Sequence, residues 1–222
     1  MAAQQVGPAS MAAPAIANPA PLGLAGFALT TFLLSAHNAI GNSVPLLVFF
    51  GFAVFYGGLA QFMAGMMEFR AGNTFGATAF TTYGAFWLGV AATVILVLAG
   101  KLAAADVNVT LAWILLAFAI FNTYMLLWSM RVSVAVFLVF LTLEITEILL
   151  FIGKFNGQAD GTGLVALGGW VGIITAIVAW YTSAAGVVNA MAAPNTVLPV
   201  GSPMWTGTMA SSSASPMART TP

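Results

Sequence analysis

The stretch Asn18-Pro19-Ala20-Pro21-Leu22-Gly23-Leu24-Ala25-Gly26-Phe27 (NPAPLGLAGF, residues 18–27) places two prolines and two glycines close together, and these are the poorest helix formers. It nonetheless opens an apolar run that continues to about residue 41, long enough to cross a bilayer. The two facts agree if the stretch starts a helix. Asn18 is a favoured N-cap, and Pro19 suits the first helical position. Pro21 still falls in the first turn, where amide hydrogens lack an intrahelical partner. This leaves the amides of Leu22 and Gly23 as free donors at the positive end of the helix dipole, with a glycine that lets a ligand approach. Such a start is either an anion site or a capped, closely packed helix end.

Outward from that stretch the chain keeps the same character. Of 222 residues, 61% are hydrophobic and only 5% charged, against about 25% in an ordinary soluble domain. Six apolar segments follow one another at about 22–41, 46–67, 75–100, 109–130, 133–153 and 163–190. They are continuous and do not alternate, so they predict an all-α membrane protein of six transmembrane helices rather than a barrel. Residues 1–17 read as a flexible Ala/Pro tail, 18–201 as the membrane domain and 202–222 as a disordered tail. Arg70, Arg131 and Arg219 on one side against Lys101 and Lys154 on the other predict that both termini are cytoplasmic. The expected setting is the plasma or inner membrane, crossed several times, with the lipid bilayer as partner. A formal net charge of zero speaks against nucleic acid as a partner. With no cysteine and one histidine, neither a metal centre nor a cofactor is expected. Small residues recur at four-residue spacing, as in Ala53/Gly57, Thr81/Ala85/Gly89 and Gly172/Ala176, which favours close helix packing.

Polar residues inside the spans mark the chemistry. Phe27, Thr31, Ser35, Asn38 and Asn42 fall on one face of the first helix. Such a stripe faces either a neighbouring helix or a water-filled path. His37 lies off this line and reads as a hydrogen-bonding residue rather than a ligand. In the fifth span Glu144 and Glu147 share a face with Phe140, Phe151 and Lys154. They form a proton site, or line a wet outer vestibule, or pair with Lys154 or another subunit. Glu68 would fix the turn after the second span, and Gln61 would line a path. An enzyme would need a nucleophile–base pair or a metal cluster, which this composition does not offer. No lysine sits mid-span to form a retinal Schiff base.

The motifs NPAPLGL (18–24), SAHN (35–38), GNTFG (72–76), TYGAFW (82–87), GGWVGI (168–173) and TVLPVG (196–201) together resemble the acetate uptake transporter family. That family includes bacterial acetate–succinate permeases and fungal proteins linked to acetate uptake and ammonia export. The resemblance covers about half of the chain and is poor over 100–165. It implies a six-helix protomer, a homo-hexamer and one path per protomer for acetate or a similar small monocarboxylate, with succinate as a further substrate. It also implies an apolar constriction of a Phe, a Tyr and a Leu. By motif the first two are Phe27 and Tyr83, and Leu141 is the candidate for the third. With no Lys or Arg in mid-span, the carboxylate would meet neutral donors and helix-end amides at Asn18, Leu22, Gly23, Thr31, Asn73, Thr74, Thr78 and Tyr83, with Pro19 and Pro21 in the same binding site. An ammonium exporter and a carboxylate sensor that passes nothing are the alternatives. Channel-like and proton-coupled passage both stay open.

Overall fold

The computed structural model describes residues 16–206. The outer parts of both expected tails, with Arg219, lie outside the described residues. Six helices are long and apolar enough to cross a membrane: α1 (Ala20–Ile40), α2 (Leu46–Arg70), α3 (Thr74–Leu98), α4 (Val107–Ser129), α5 (Val134–Phe155) and α6 (Gly163–Ala192). No strand occurs among the described residues. The ends match the sequence expectation to within a few residues because capping chemistry sets them. Asn73 Oδ1 accepts from the Gly76 amide at 3.1 Å and starts α3. Ser133 does the same for α5 at 3.2 Å to the Val136 amide.

The helices pack in a chain of neighbours. α6 lies along both α1 and α5, α4 lies on α5, and α2 lies on α3 and α1. Glycines make the closest approaches. A Cβ on Gly169 would collide with the α1 backbone at Ala39, and one on Gly84 would sit 2.7 Å from the Phe62 amide nitrogen. Ala53/Gly57 and Gly172/Ala176 are buried, as their spacing predicts. The Thr81/Ala85/Gly89 stripe behaves differently: Ala85 and Gly89 face outward.

α2 is not the uninterrupted helix that its sequence suggests. It begins as a 3-10 turn (Leu46–Phe49), continues as α-helix (Phe50–Val54), widens to π geometry (Phe55–Ala60) and returns to α (Gln61–Arg70). Gly57 and Gly58 sit in the widened turn. Thr30 of α1 and Trp87 of α3 close on Gly57, where a side chain would leave no room. Beyond the π segment Gln61 emerges fully buried.

After α6 the chain folds back as a strap. Asn189 holds it by accepting from the Val197 and Leu198 amides at 2.9 Å and donating to the Leu198 carbonyl at 2.8 Å. Val200 accepts from the Ala135 amide, and Trp205 stacks on Trp128 at 5.5 Å with Arg131 over its ring. Residues 202–206, placed by sequence in the C-terminal tail, are thus held against the turn between α4 and α5.

Candidate functional site: a chambered path

The start of α1 caps itself. Asn18 Oδ1 accepts from the Ala20 amide at 3.0 Å, and the Pro19 carbonyl accepts from the Gly23 amide at 3.2 Å. The Gly23 amide is therefore not the free donor that sequence reasoning expects; it makes an early helical hydrogen bond. Its missing side chain makes room for Phe80, whose ring lies 2.7 Å from where a Cβ would sit. Pro21 faces α6, where its carbonyl accepts from the Ser183 hydroxyl at 2.6 Å. Leu22 is exposed.

Three cavities follow one another through the bundle. The first opens beside the start of α1 and is walled by Leu24, Gln61, Asn73, Phe80, Val136 and Phe140 among others. The middle one, the smallest of the three, is walled by Thr31, Ser35, Trp87, Thr146 and Glu147 among others. The third lies toward the other end of the helices, where His37, Lys154 and Asp160 line it. Phe27, Tyr83 and Leu143 wall both the first and the middle cavity. Leu34, Asn38, Phe86, Leu115 and Leu150 wall both the middle and the third. The chambers therefore form a series, and one Phe, one Tyr and one Leu from α1, α3 and α5 stand between the first two. Phe27 meets Tyr83 edge-on with ring centroids 5.7 Å apart.

The sequence candidates divide on this geometry. Phe27, Thr31 and Tyr83 come together, and the Thr31 hydroxyl is buried without a partner. Asn73 reaches the first chamber, but its amide nitrogen donates to Glu68 Oε2 at 2.8 Å while its oxygen caps α3. Glu68 thus fixes the α2–α3 turn through Asn73. Asn18, Pro19, Pro21, Leu22, Gly23, Thr74 and Thr78 line none of the three chambers. Neither does Leu141. Leu143, two residues on, turns inward instead, since two helical residues rotate the side chain by more than half a turn. The signal was available: Leu143, Glu147 and Leu150 follow helical spacing on one face.

The carboxylates also find partners that the sequence did not suggest. Lys154 pairs with Asp160 at 2.7 Å, and His37 Nε2 lies 3.3 Å from the other Asp160 oxygen. His37 Nδ1 meets the Val44 carbonyl at 2.7 Å. The expected pairing of Glu144 or Glu147 with Lys154 is therefore not made, because Asp160 in the following loop takes the ammonium. Asn122, fully buried on α4, holds Glu144 instead, and Tyr83 reaches Glu147. Its amide nitrogen donates to the Phe140 carbonyl at 3.0 Å and to Glu144 Oε2 at 2.7 Å. Thr123 donates to Glu144 Oε1 at 2.8 Å. The Tyr83 hydroxyl lies 2.9 Å from Asn122 Oδ1 and 3.3 Å from Glu147 Oε1. An asparagine in mid-span was the overlooked clue, since such polar residues rarely face lipid.

Comparison with known proteins agrees with this architecture. The GPR1/FUN34/yaaH family model matches residues 2–202. The chain is 36% identical over 188 residues to the succinate-acetate/proton symporter SatP of Escherichia coli, covering 84% of this chain and 96% of that protein. It is 40% identical over 179 residues to ammonia transport outward protein 2 of Saccharomyces cerevisiae, covering 78% of this chain. It spans only 62% of the length of that yeast relative. The structure of the bacterial acetate channel SatP superposes with a TM-score of 0.77 at 37% identity, covering 84% of this chain and 99% of that one. Six membrane-length helices, their arrangement and the family match lead to one statement: this chain is a multi-pass membrane protein that belongs to the GPR1/FUN34/yaaH family.

Proposed function

We propose that the protein carries acetate and similar small monocarboxylates across the membrane, succinate being a further candidate, through a path within each protomer. The observation that carries this reading is the trio Phe27, Tyr83 and Leu143, shared by two chambers in series. An apolar ring of this kind stops water and ions when empty but accepts a methyl group. The first chamber has no charged side chain in its wall, so a carboxylate meets only neutral polar groups such as Gln61 and Asn73. Thr31, Ser35 and Asn38 receive it beyond the ring. Binding by neutral groups is weak, and weak binding permits release. Asn18, Pro19, Pro21, Leu22 and Gly23 then shape the entrance, and Thr74 and Thr78 support it from the first turns of α3. The apolar outer faces of the helices fit both lipid and a homo-hexamer, and crosslinking in membranes should stop at six subunits. Both termini are taken as cytoplasmic.

A second reading, ammonium passage, has one observation in its favour. Phe27, Tyr83, Phe86 and Trp87 surround the middle chamber together with Glu147, the kind of wall that holds a small cation. Uptake of radiolabelled acetate and of methylammonium into proteoliposomes separates the readings. Acetate entry above protein-free vesicles, altered in Tyr83→Ala, is the expected result. Methylammonium entry without acetate entry would replace the first reading by the second.

A further inference from the structure

Proton counting around Asn122 leads past the path itself. The Phe140 carbonyl can only accept, so the Asn122 nitrogen must face it and the Asn122 oxygen must face Tyr83. The Tyr83 hydroxyl has one hydrogen, and the shorter contact, 2.9 Å to Asn122, uses it. The remaining 3.3 Å contact to Glu147 Oε1 joins two acceptors unless Glu147 itself supplies a hydrogen. Glu147 is 3% exposed, and its Oε2 is buried without a hydrogen-bond partner among the described residues. The side chain forms part of the middle chamber wall, just past the constriction. Lys154, which lines the third chamber, is paired with Asp160 rather than with Glu147.

The groups around it are few. Tyr83 on α3 and Glu144 on α5 are its titratable neighbours, with Tyr124 on α4 behind Tyr83. The middle chamber receives Thr31 and Ser35 from α1 and Leu115 from α4, none of which titrates, and α2 and α6 contribute no lining residue. Glu144 has both oxygens occupied by donors, from Asn122 and Thr123, as suits a carboxylate anion. The two glutamates therefore differ in kind: one is an anchored anion, the other a neutral acid facing the path.

We propose that Glu147 is the proton-handling residue of the path, giving its proton to a carboxylate at the constriction. This rests on the carboxylate reading above. The Glu147 O–H bond breaks and a substrate O–H bond forms, leaving the Glu147 carboxylate and the undissociated acid. A proton from water on the side from which the carboxylate came restores Glu147. Each monocarboxylate then crosses with one proton, and no net charge moves.

The test compares wild type with Glu147→Gln in proteoliposomes, following labelled acetate above protein-free vesicles. An inward proton gradient should accelerate wild-type uptake, while an imposed membrane potential should not. Glu147→Gln should lose the acceleration. A variant that keeps the full response to the proton gradient overturns the proposal. Infrared absorption covers the case in which the variant carries nothing. Wild-type protein near neutral pH should show a protonated carboxyl band that is missing in Glu147→Gln, and a wild type without that band also overturns the proposal. If the wild type carries no acetate, the functional reading fails, and the infrared band alone then decides whether Glu147 holds a proton.

Discussion

The two sides of the constriction are built from different chemistry. On the side where α1 begins, the wall is leucine, valine and phenylalanine, relieved only by Gln61 and Asn73. On the other side the wall stays mostly apolar but adds Thr31, Ser35 and Glu147 within one helical turn, and ends at the His37–Asp160–Lys154 cluster. Phe27, Tyr83 and Leu143 mark the change. A symmetric pore would offer a carboxylate the same surroundings before and after its narrowest point. This one takes it from a neutral apolar chamber into one equipped with hydroxyls and an acid. The asymmetry separates two tasks, exclusion of water and handling of charge, and gives each to a different length of the same helices.

Merging the two sides should have the largest effect. Leu143→Ala removes one wall of the partition, while Leu141→Ala removes a side chain of the same size that lines neither chamber. One methylene of pocket space is worth about 10–200-fold in discrimination between substrates. Leu143→Ala should therefore raise the uptake of butyrate relative to acetate by about tenfold or more. Leu141→Ala should leave that ratio near the wild-type value. Equal effects from the two variants would show that the partition lies elsewhere on α5.

The polar side can be weakened without opening the wall. Asn122→Leu removes the donor to the Phe140 carbonyl and Glu144 and the acceptor for Tyr83. Several buried polar groups then lose their partner, each costing about 1–3 kcal/mol where water cannot replace it. A clear drop in the melting temperature of the detergent-solubilised protein is expected. Asn122→Asp should not rescue it, because a carboxylate cannot donate to the Phe140 carbonyl. An unchanged melting temperature in Asn122→Leu would mean that water enters and satisfies these groups, which would make the middle chamber wetter than its walls suggest.

This contrast also explains what the sequence revealed. Helix number and ends were legible because apolar length and caps such as Asn73 and Ser133 are local signals. The α1 stripe was legible too: Phe27, Thr31, Ser35 and Asn38 follow helical spacing, and four of its five members reach the chambers. The fifth, Asn42, lies exposed beyond the helix end. On α5 the inward face was harder to read. Leu141 and Leu143 stand among apolar neighbours, and only the helical spacing of Leu143 with Glu147 and Leu150 distinguishes them. The Asn122 network joins three helices and is invisible to any single periodicity. The π turn at Phe55–Ala60 has no sequence period either; it reflects what Gly57 must accommodate from α1 and α3.

The smallest effect is expected at the entrance, and it bears on how Asn18 should be understood. Its side-chain oxygen accepts from the Ala20 amide at 3.0 Å and so satisfies a first-turn donor from one residue before the N-cap, Pro19. It lines none of the chambers. If capping is its whole contribution, Asn18→Ala should lower stability by about 1 kcal/mol, and Asn18→Asp, which keeps the acceptor, should restore it. Acetate uptake per folded molecule should be equal in all three proteins. If Asn18 also meets the arriving carboxylate, the aspartate variant behaves differently. It restores stability while placing a negative charge at the mouth, so half-saturation by acetate moves to higher concentration. Stability and half-saturation measured on the same two variants thus tell a helix start that only shapes the entrance from one that greets the substrate.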